Sequence, residues 1–369
     1  MLTGYFAGLG VVMAVWGTRI PAIQESAGLD TAGLAAVLFA AAVGMVAGLQ
    51  IGGRLAEPAR LPQLLTSGAL GLAVSLAVLG TCRTPITLAA ATLLFGAAHG
   101  VLDVAVNGAA VRCQQAYGRP IMSGLHAAYS LGALGGAVLA AVTAHDSHTY
   151  VFGVTAGAAI VATVAAAPAT RCIGFPDLGS AETVTPERLP ELSRSRLWLL
   201  GLLAAACLLG EGAAADWSAV HLSGLHASPA ISAAAYAGYS AAMAAGRLVG
   251  DRLIAGFGAP KVVRTGALLA SFGLVAGLVV TDVPFALAGW AAFGLGLSVT
   301  IPSLFSAAGT GGPRAVATVA VAGYLGLLAG PALIGALATA TTLPLALMLP
   351  ALLAAGVAVL SHRALENRW

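Results

Sequence analysis

Long uninterrupted apolar runs dominate the chain, separated by short breaks rich in charge, proline, glycine and aspartate. Twelve runs can be marked, at roughly 3–24, 32–53, 62–82, 86–111, 121–144, 150–168, 197–220, 230–250, 261–281, 284–308, 315–338 and 342–361. Each approaches the roughly 20 apolar residues that a helix needs to cross a hydrocarbon core about 30 Å thick. The runs are continuous rather than alternating, so they read as helices and not as barrel strands. Helices also satisfy their own backbone hydrogen bonds, which lipid cannot do. The pattern predicts an all-α integral membrane protein of twelve transmembrane helices. One break is long, 169–196, and holds Arg171, Asp177, Glu182, Glu187, Arg188, Glu191, Arg194 and Arg196. It predicts a polar linker between an N-terminal six-helix half, 1–168, and a C-terminal half, 197–369.

Composition narrows the class. With 59% apolar and 8% charged residues and a mean hydropathy of +0.93, the chain lacks the polar surface of a soluble fold. A net charge of +3 is too small to imply nucleic acid, and the distribution of charge says more. If the N-terminus lies inside, every Lys and Arg except Arg19 and Arg83 falls on that side: Arg54, Arg60, Arg112, Arg119, the linker arginines, Arg247, Arg252, Lys261, Arg264, Arg314, Arg363 and Arg368. The positive-inside rule then puts both termini and the linker in the cytoplasm. The first run has no basic stretch before it and continues into a full span, so no cleavable leader is expected. Cys82, Cys113, Cys172 and Cys207 show no CxxC or Cys/His spacing. The two histidines of His145-Asp-Ser-His148 read as a solvated turn, so no metal is expected.

The two halves repeat. At an offset of 198, Gly52, Arg54 and Leu55 fall on Gly250, Arg252 and Leu253, and Pro62 falls on Pro260. Gly68-Ala69-Leu70 falls on Gly266-Ala267-Leu268, and Phe95-Gly96 on Phe293-Gly294. One ungapped register across three helices indicates parallel repeats, an architecture of transporters with a solute site between halves.

The segment Gly246-Arg-Leu-Val-Gly-Asp251-Arg252-Leu-Ile-Ala-Gly-Phe-Gly258, between the eighth and ninth runs, resembles the loop signature of the major facilitator superfamily. Its first-half partner, 48–58, keeps Gly52 and Arg54 but has Gly53 where the signature has Asp. The resemblance spans the whole chain. Trp16-Gly-Thr-Arg19-Ile-Pro21-Ala-Ile23, His99-Gly-Val-Leu-Asp103, Arg119-Pro-Ile-Met-Ser-Gly-Leu-His126 and Glu211-Gly-Ala-Ala-Ala-Asp216-Trp217 are most similar to YbjJ-like bacterial proteins, distant relatives of proton-coupled sugar permeases. The resemblance implies a major facilitator fold, a monomer, and a latch at Asp251 and Arg252, with Arg54 as its first-half counterpart. In the family this latch stabilises the outward-open state.

Charged groups at bilayer depth cost roughly 2.5–3.5 kcal/mol each on insertion scales, which makes Asp103, Glu211 and Asp216 functional candidates. His99, Asp103 and Asn107 stand at i, i+4 and i+8, one stripe of an otherwise apolar helix. Leu297, Ile301 and Phe305 stand in their places in the second half, so the architecture itself does not demand polar groups there. The next run brings His126 back to the depth of Asp103 and Asn107. Asp103 is the expected proton-coupling acid, tuned by His99 or His126. The alternative is a buried polar network that only orients helices. Arg19, after Trp16, and Glu211 and Asp216, before Trp217, lie near the outer ends of equivalent helices. They predict a gate pairing Arg19 with one acid, or an Arg19 that anchors the solute. Snorkelling beside interfacial tryptophans is the plainer reading for Arg19 and Asp216. Tyr129, Tyr236, Tyr239 and Trp290 complete a list of candidate wall residues.

No phosphate loop, nucleophile elbow or HExxH helix occurs, and Lys261 is the single lysine. The expectation is therefore not an enzyme but a gradient-driven carrier with no cofactor, whose partners are a small-molecule solute and the lipid bilayer. Proton symport of a sugar or related metabolite is the first reading. Proton antiport of drugs or metabolites is the alternative. Against antiport, the fifth run has Gly135-Gly136 without the family antiporters' Gly-Pro, and Gly96 stands where their arginine would be.

Overall fold

In the computed structural model, residues 1–174 and 192–366 are described. Asp177, Glu182, Glu187, Arg188 and Glu191 of the expected linker, and Arg368 of the tail, lie outside the described residues. The elements are α1 (Leu2–Thr18), α2 (Ile20–Ser26), α3 (Thr31–Leu55), a 3-10 turn (Pro58–Arg60), α4 (Leu61–Thr81), α5 (Pro85–Tyr117), α6 (Met122–Val142) and α7 (His148–Gly174). After the linker come α8 (Arg194–Gly224), α9 (Pro229–Phe257), α10 (Ala259–Val279), α11 (Val283–Leu297), α12 (Thr300–Gly309), α13 (Pro313–Ala340), α14 (Leu343–Ala346) and α15 (Met348–Leu365).

A helix lies on each of the twelve apolar runs. Among the described residues, ten are long and apolar enough to cross a membrane, or eleven if α1 and α2 count as one span bent by 45°. The helix α9 has the length, but its Ala, Gly, Ser and Tyr content keeps it out of that set. Large apolar side chains such as Phe39, Ile86, Phe272 and Val359 are exposed on the helix surfaces. A hydrocarbon solvent explains them, and the protein is a multi-pass membrane protein.

Of the boundaries that differ from the sequence expectation, three have a visible reason. The run 3–24 is two helices, because Pro21 has no N–H to give the carbonyl four residues back. The run 284–308 breaks between α11 and α12 for the same reason: Pro302 leaves the Ser298 carbonyl without its helical donor. The signature 246–258, expected between helices, is almost wholly helical. The chain turns only at Gly258, whose φ of 81° suits glycine, and α10 begins at the next residue.

The described chain forms two compact units. One comprises Met1–Tyr117, Ala128–Glu191 and Gly311–Thr318. Within it α5 packs most extensively on α3 and also on α4, and α4 packs on α7. The α3–α5 approach is close enough that a Cβ on Gly100 would collide with the Met45 carbonyl. The other unit comprises Gly118–Ala127, Leu192–Thr310 and Val319–Trp369, with α10 against α11 and α15, α9 against α11, and α8 against α15 and α9. The start of α6 thus packs with the second unit, and the start of α13 with the first. The expected boundary at 169–196 contains no hint of this exchange.

Candidate functional site

In the first unit, α5 carries the polar stripe. His99, Asp103 and Asn107 are all buried. The Asn107 amide donates to the Asp103 carbonyl at 2.9 Å and to Asp103 Oδ1 at 3.4 Å, tying the stripe together one turn apart. Four residues before His99, Phe95 packs its ring 5.2 Å from that of Trp16 on α1. Four expected site residues, Trp16, His99, Asp103 and Asn107, therefore lie along one side of α5. Tyr129 is half-buried on the part of α6 that belongs to this unit.

Arg19 sits at the break between α1 and α2 and is buried. Its guanidinium donates to Ala140 O at 3.3 Å in the last turn of α6 and, in the turn that follows the helix, to Thr143 O, Ala144 O at 3.4 Å and Asp146 O at 3.5 Å. It also donates to Thr143 Oγ1 at 2.9 Å. A cation over a helix C-terminus satisfies orphan carbonyls and complements the dipole. These bonds hold Arg19 at the end of α6, and Glu211 has a cation within its own unit.

That cation is Arg247, in the second unit. It is buried in α9, with its Nη2 3.7 Å from Glu211 Oε1 on α8. Its Nε donates at 3.3 Å to the Ser298 carbonyl, the one that Pro302 deprives of a helical donor. The sequence reading counts Arg247 among the loop charges, and this is a correction: the residue belongs to the helix interior. The available signal was its spacing of one helical turn from Asp251. Asp216 is exposed, and Trp217 is half-buried with its indole N–H lacking a hydrogen-bond partner among the described residues. His126, in the segment that packs with this unit, has its ring 6.0 Å from Phe305 of α12.

One turn beyond Arg247, Asp251 caps α6. Its two carboxylate oxygens accept from Ser123 N at 2.9 Å and Gly124 N at 2.6 Å, while the Ser123 hydroxyl donates to the Arg247 carbonyl at 2.9 Å. Arg252 is exposed. In the first unit, exposed Arg54 lines a cavity of about 310 Å³ with Gln50, Gly53, Arg314, Ala317 and Thr318.

Buried charge on several helices of an apolar bundle points to a functional site within the membrane. The relatives identify the kind. The chain is 36% identical to an MFS-type transporter of Yersinia pestis, over 97% of this chain and 92% of that one. It is 34% identical to the transporter y4wD of Sinorhizobium fredii, over 95% and 94%. No family model matches the chain. Among solved structures it is similar to FucP in its outward conformation, with a TM-score of 0.78, 17% identity and coverage of 99% of this chain and 98% of that one. The E. coli FucP of a second structure, TM-score 0.75, is described as a fucose:proton symporter. The chain belongs to the major facilitator superfamily. It is a transporter and not an enzyme.

Proposed function

We propose that the protein is a proton-coupled symporter that takes up a small polar solute, a sugar or related metabolite, by alternating access of two six-helix halves. Twelve crossings, an inner-membrane location and cytoplasmic termini belong to this reading, supported by the one-sided distribution of Lys and Arg. The observation that carries it is Asp103. An acid in an apolar helix whose residue is 7% exposed must be neutralised by a proton or a charge whenever its surroundings are dry. The adjacent Asn107 amide supports a polar lining for solute. The description of FucP as a fucose:proton symporter agrees with the class, at the level of the fold.

Within this reading His99 or His126 tunes Asp103, and Arg19 pairs with an acid at the outer gate or anchors the solute beside Trp16. Asp251 latches the basic end. The start of α6 belongs by sequence to the first half, so its bonds to Asp251 and to the Arg247 carbonyl have to break when that end opens. Trp217, Tyr129 and Asp216 are candidate solute contacts.

A thermal-stability screen of the purified protein at about pH 5.5 and about pH 7.5 tests the reading, because ligands that bind the native state raise its stability. The expected result is stabilisation by a neutral sugar or polyol that depends on pH, with that dependence lost in Asp103→Asn. Stabilisation by lipophilic cations alone would favour the exporter reading and reduce the α5 stripe to helix packing.

A further inference from the structure

Two arginines from distant parts of the chain share one cavity in the first unit. Arg54 is the penultimate residue of α3 and Arg314 the second of α13. Both are exposed, and with Gln50, Gly53, Ala317 and Thr318 they line a volume of about 310 Å³. Neither guanidinium has an acid or a hydrogen-bond acceptor among the described residues. Glu57, the acid nearest to Arg54 along the chain, lies 3.6 Å from Arg60 instead. Gly53 brings no acid either, because the Ala317 methyl fills the space that a side chain would take. Two like charges lining one cavity without a counter-ion repel each other, and an anion between them reverses the sign of that term.

The neutral lining groups say more about the anion. Thr318 Oγ1 already donates to the Arg314 carbonyl at 2.9 Å, so it has only lone pairs left to offer. The Gln50 amide offers two N–H groups and a carbonyl. The cavity thus presents two guanidinium forks for an oxyanion and, beside them, two neutral acceptors for hydroxyls. A phosphate that carries a hydroxylated substituent matches this set, and the volume is of the size that holds a small ligand. The surroundings indicate where such a phosphate comes from. Both arginines stand at the ends of apolar spans, Ala32–Leu55 and Pro313–Ala340, which is the level of lipid headgroups. Ile51, one turn before Arg54 on α3, is half-exposed and continues the apolar surface along which an acyl chain lies. Basic pockets between membrane helices at this level bind anionic headgroups.

We propose that the cavity lined by Arg54 and Arg314 binds the headgroup of an anionic phospholipid, with the phosphate on the two guanidiniums and the headgroup hydroxyls donating to Gln50 and Thr318. At the corresponding junction of the second unit the chain supplies its own carboxylate, Asp251. In the first unit the negative charge comes from the membrane. The site is independent of which solute the protein carries.

The test uses wild type, Arg54→Gln, Arg314→Gln, the double variant and Arg264→Gln, each purified as the full chain in a neutral detergent. Arg264 is an exposed arginine of α10, in the other unit, and serves as the control for charge alone. Melting is followed with phosphatidylglycerol, with phosphatidylcholine and with inorganic phosphate. Phosphatidylglycerol should raise the melting temperature of wild type, and phosphatidylcholine, which has no net charge, should not. Each single variant should need about fivefold more phosphatidylglycerol for the same shift and the double variant about thirtyfold more, with Arg264→Gln unchanged. Without lipid the double variant should melt no lower than wild type, since only a repulsion has been removed. A phosphatidylglycerol shift that survives in the double variant, or that Arg264→Gln weakens equally, overturns the proposal. So does a double variant that melts well below wild type without lipid, because the arginines would then be holding the fold. Inorganic phosphate that stabilises wild type as strongly as phosphatidylglycerol, through the same two arginines, would assign the cavity to a soluble anion and overturn the lipid site.

Discussion

Two junctions of this protein descend from one repeated motif and are built on opposite principles. In the second unit, Gly250-Asp251-Arg252 meets the start of α6, and the Asp251 carboxylate accepts from Ser123 N and Gly124 N. In the first unit, Gly52-Gly53-Arg54 meets the start of α13. There a Cβ on Gly53 would collide with the methyl of Ala317. Gly124 and Ala317 hold matching places, each four residues after a proline, Pro120 or Pro313. Where one junction has an acid facing a glycine, the other has a glycine facing a methyl. The first is held by charge-assisted hydrogen bonds to a helix N-terminus, the second by backbone proximity and van der Waals contact. The space an aspartate would need is already filled, and Arg54 and Arg314 line the cavity alongside.

The largest break in this comparison comes from forcing the acid into the wrong junction. Gly53→Asp should destabilise the protein by about 2–4 kcal/mol, through overpacking and a carboxylate without prepared donors. Adding Ala317→Gly recreates the Asp/Gly pairing of the other junction and should recover at least about half of that loss. Melting temperatures of the single and double variants check both statements.

Asp251→Asn should have a smaller effect. It gives up two charge-assisted bonds worth about 2 kcal/mol together, which shifts the equilibrium toward an open basic end about thirtyfold. Thiol labelling of a cysteine introduced at that end reads the shift as a faster rate. The smallest expected effect is that of Gly124→Ala, whose added methyl would stand 2.8 Å from Asp251 Oδ2. It should cost about 1 kcal/mol, and it should cost less in an Asp251→Asn background if the carboxylate is what the methyl displaces.

Much of the architecture was legible in the sequence because membrane helices are written locally. Apolar runs located every helix, and Asp103 stood out because an acid in such a run has no bland neighbours. The signature acid Asp251 was equally plain. What escaped was written in pairs of distant residues or in backbone atoms. Arg247 and Glu211 lie on different helices, and nothing in either segment names the other. Arg19 donates mainly to backbone carbonyls at and just past the end of α6, and carbonyls leave no trace in a sequence. The breaks at Pro21 and Pro302 were visible as prolines inside apolar runs, but their consequences were not, since the freed Ser298 carbonyl matters only because Arg247 is there to use it.

The central claim is that Asp103 carries the coupling proton, and the most direct measurement of it is proton exchange on solute binding in weakly buffered solution. Once a stabilising solute is in hand, wild type should take up about one proton per solute bound near neutral pH, and Asp103→Asn should bind the solute with no proton uptake. Proton release on binding, or uptake undiminished in Asp103→Asn, would contradict the account.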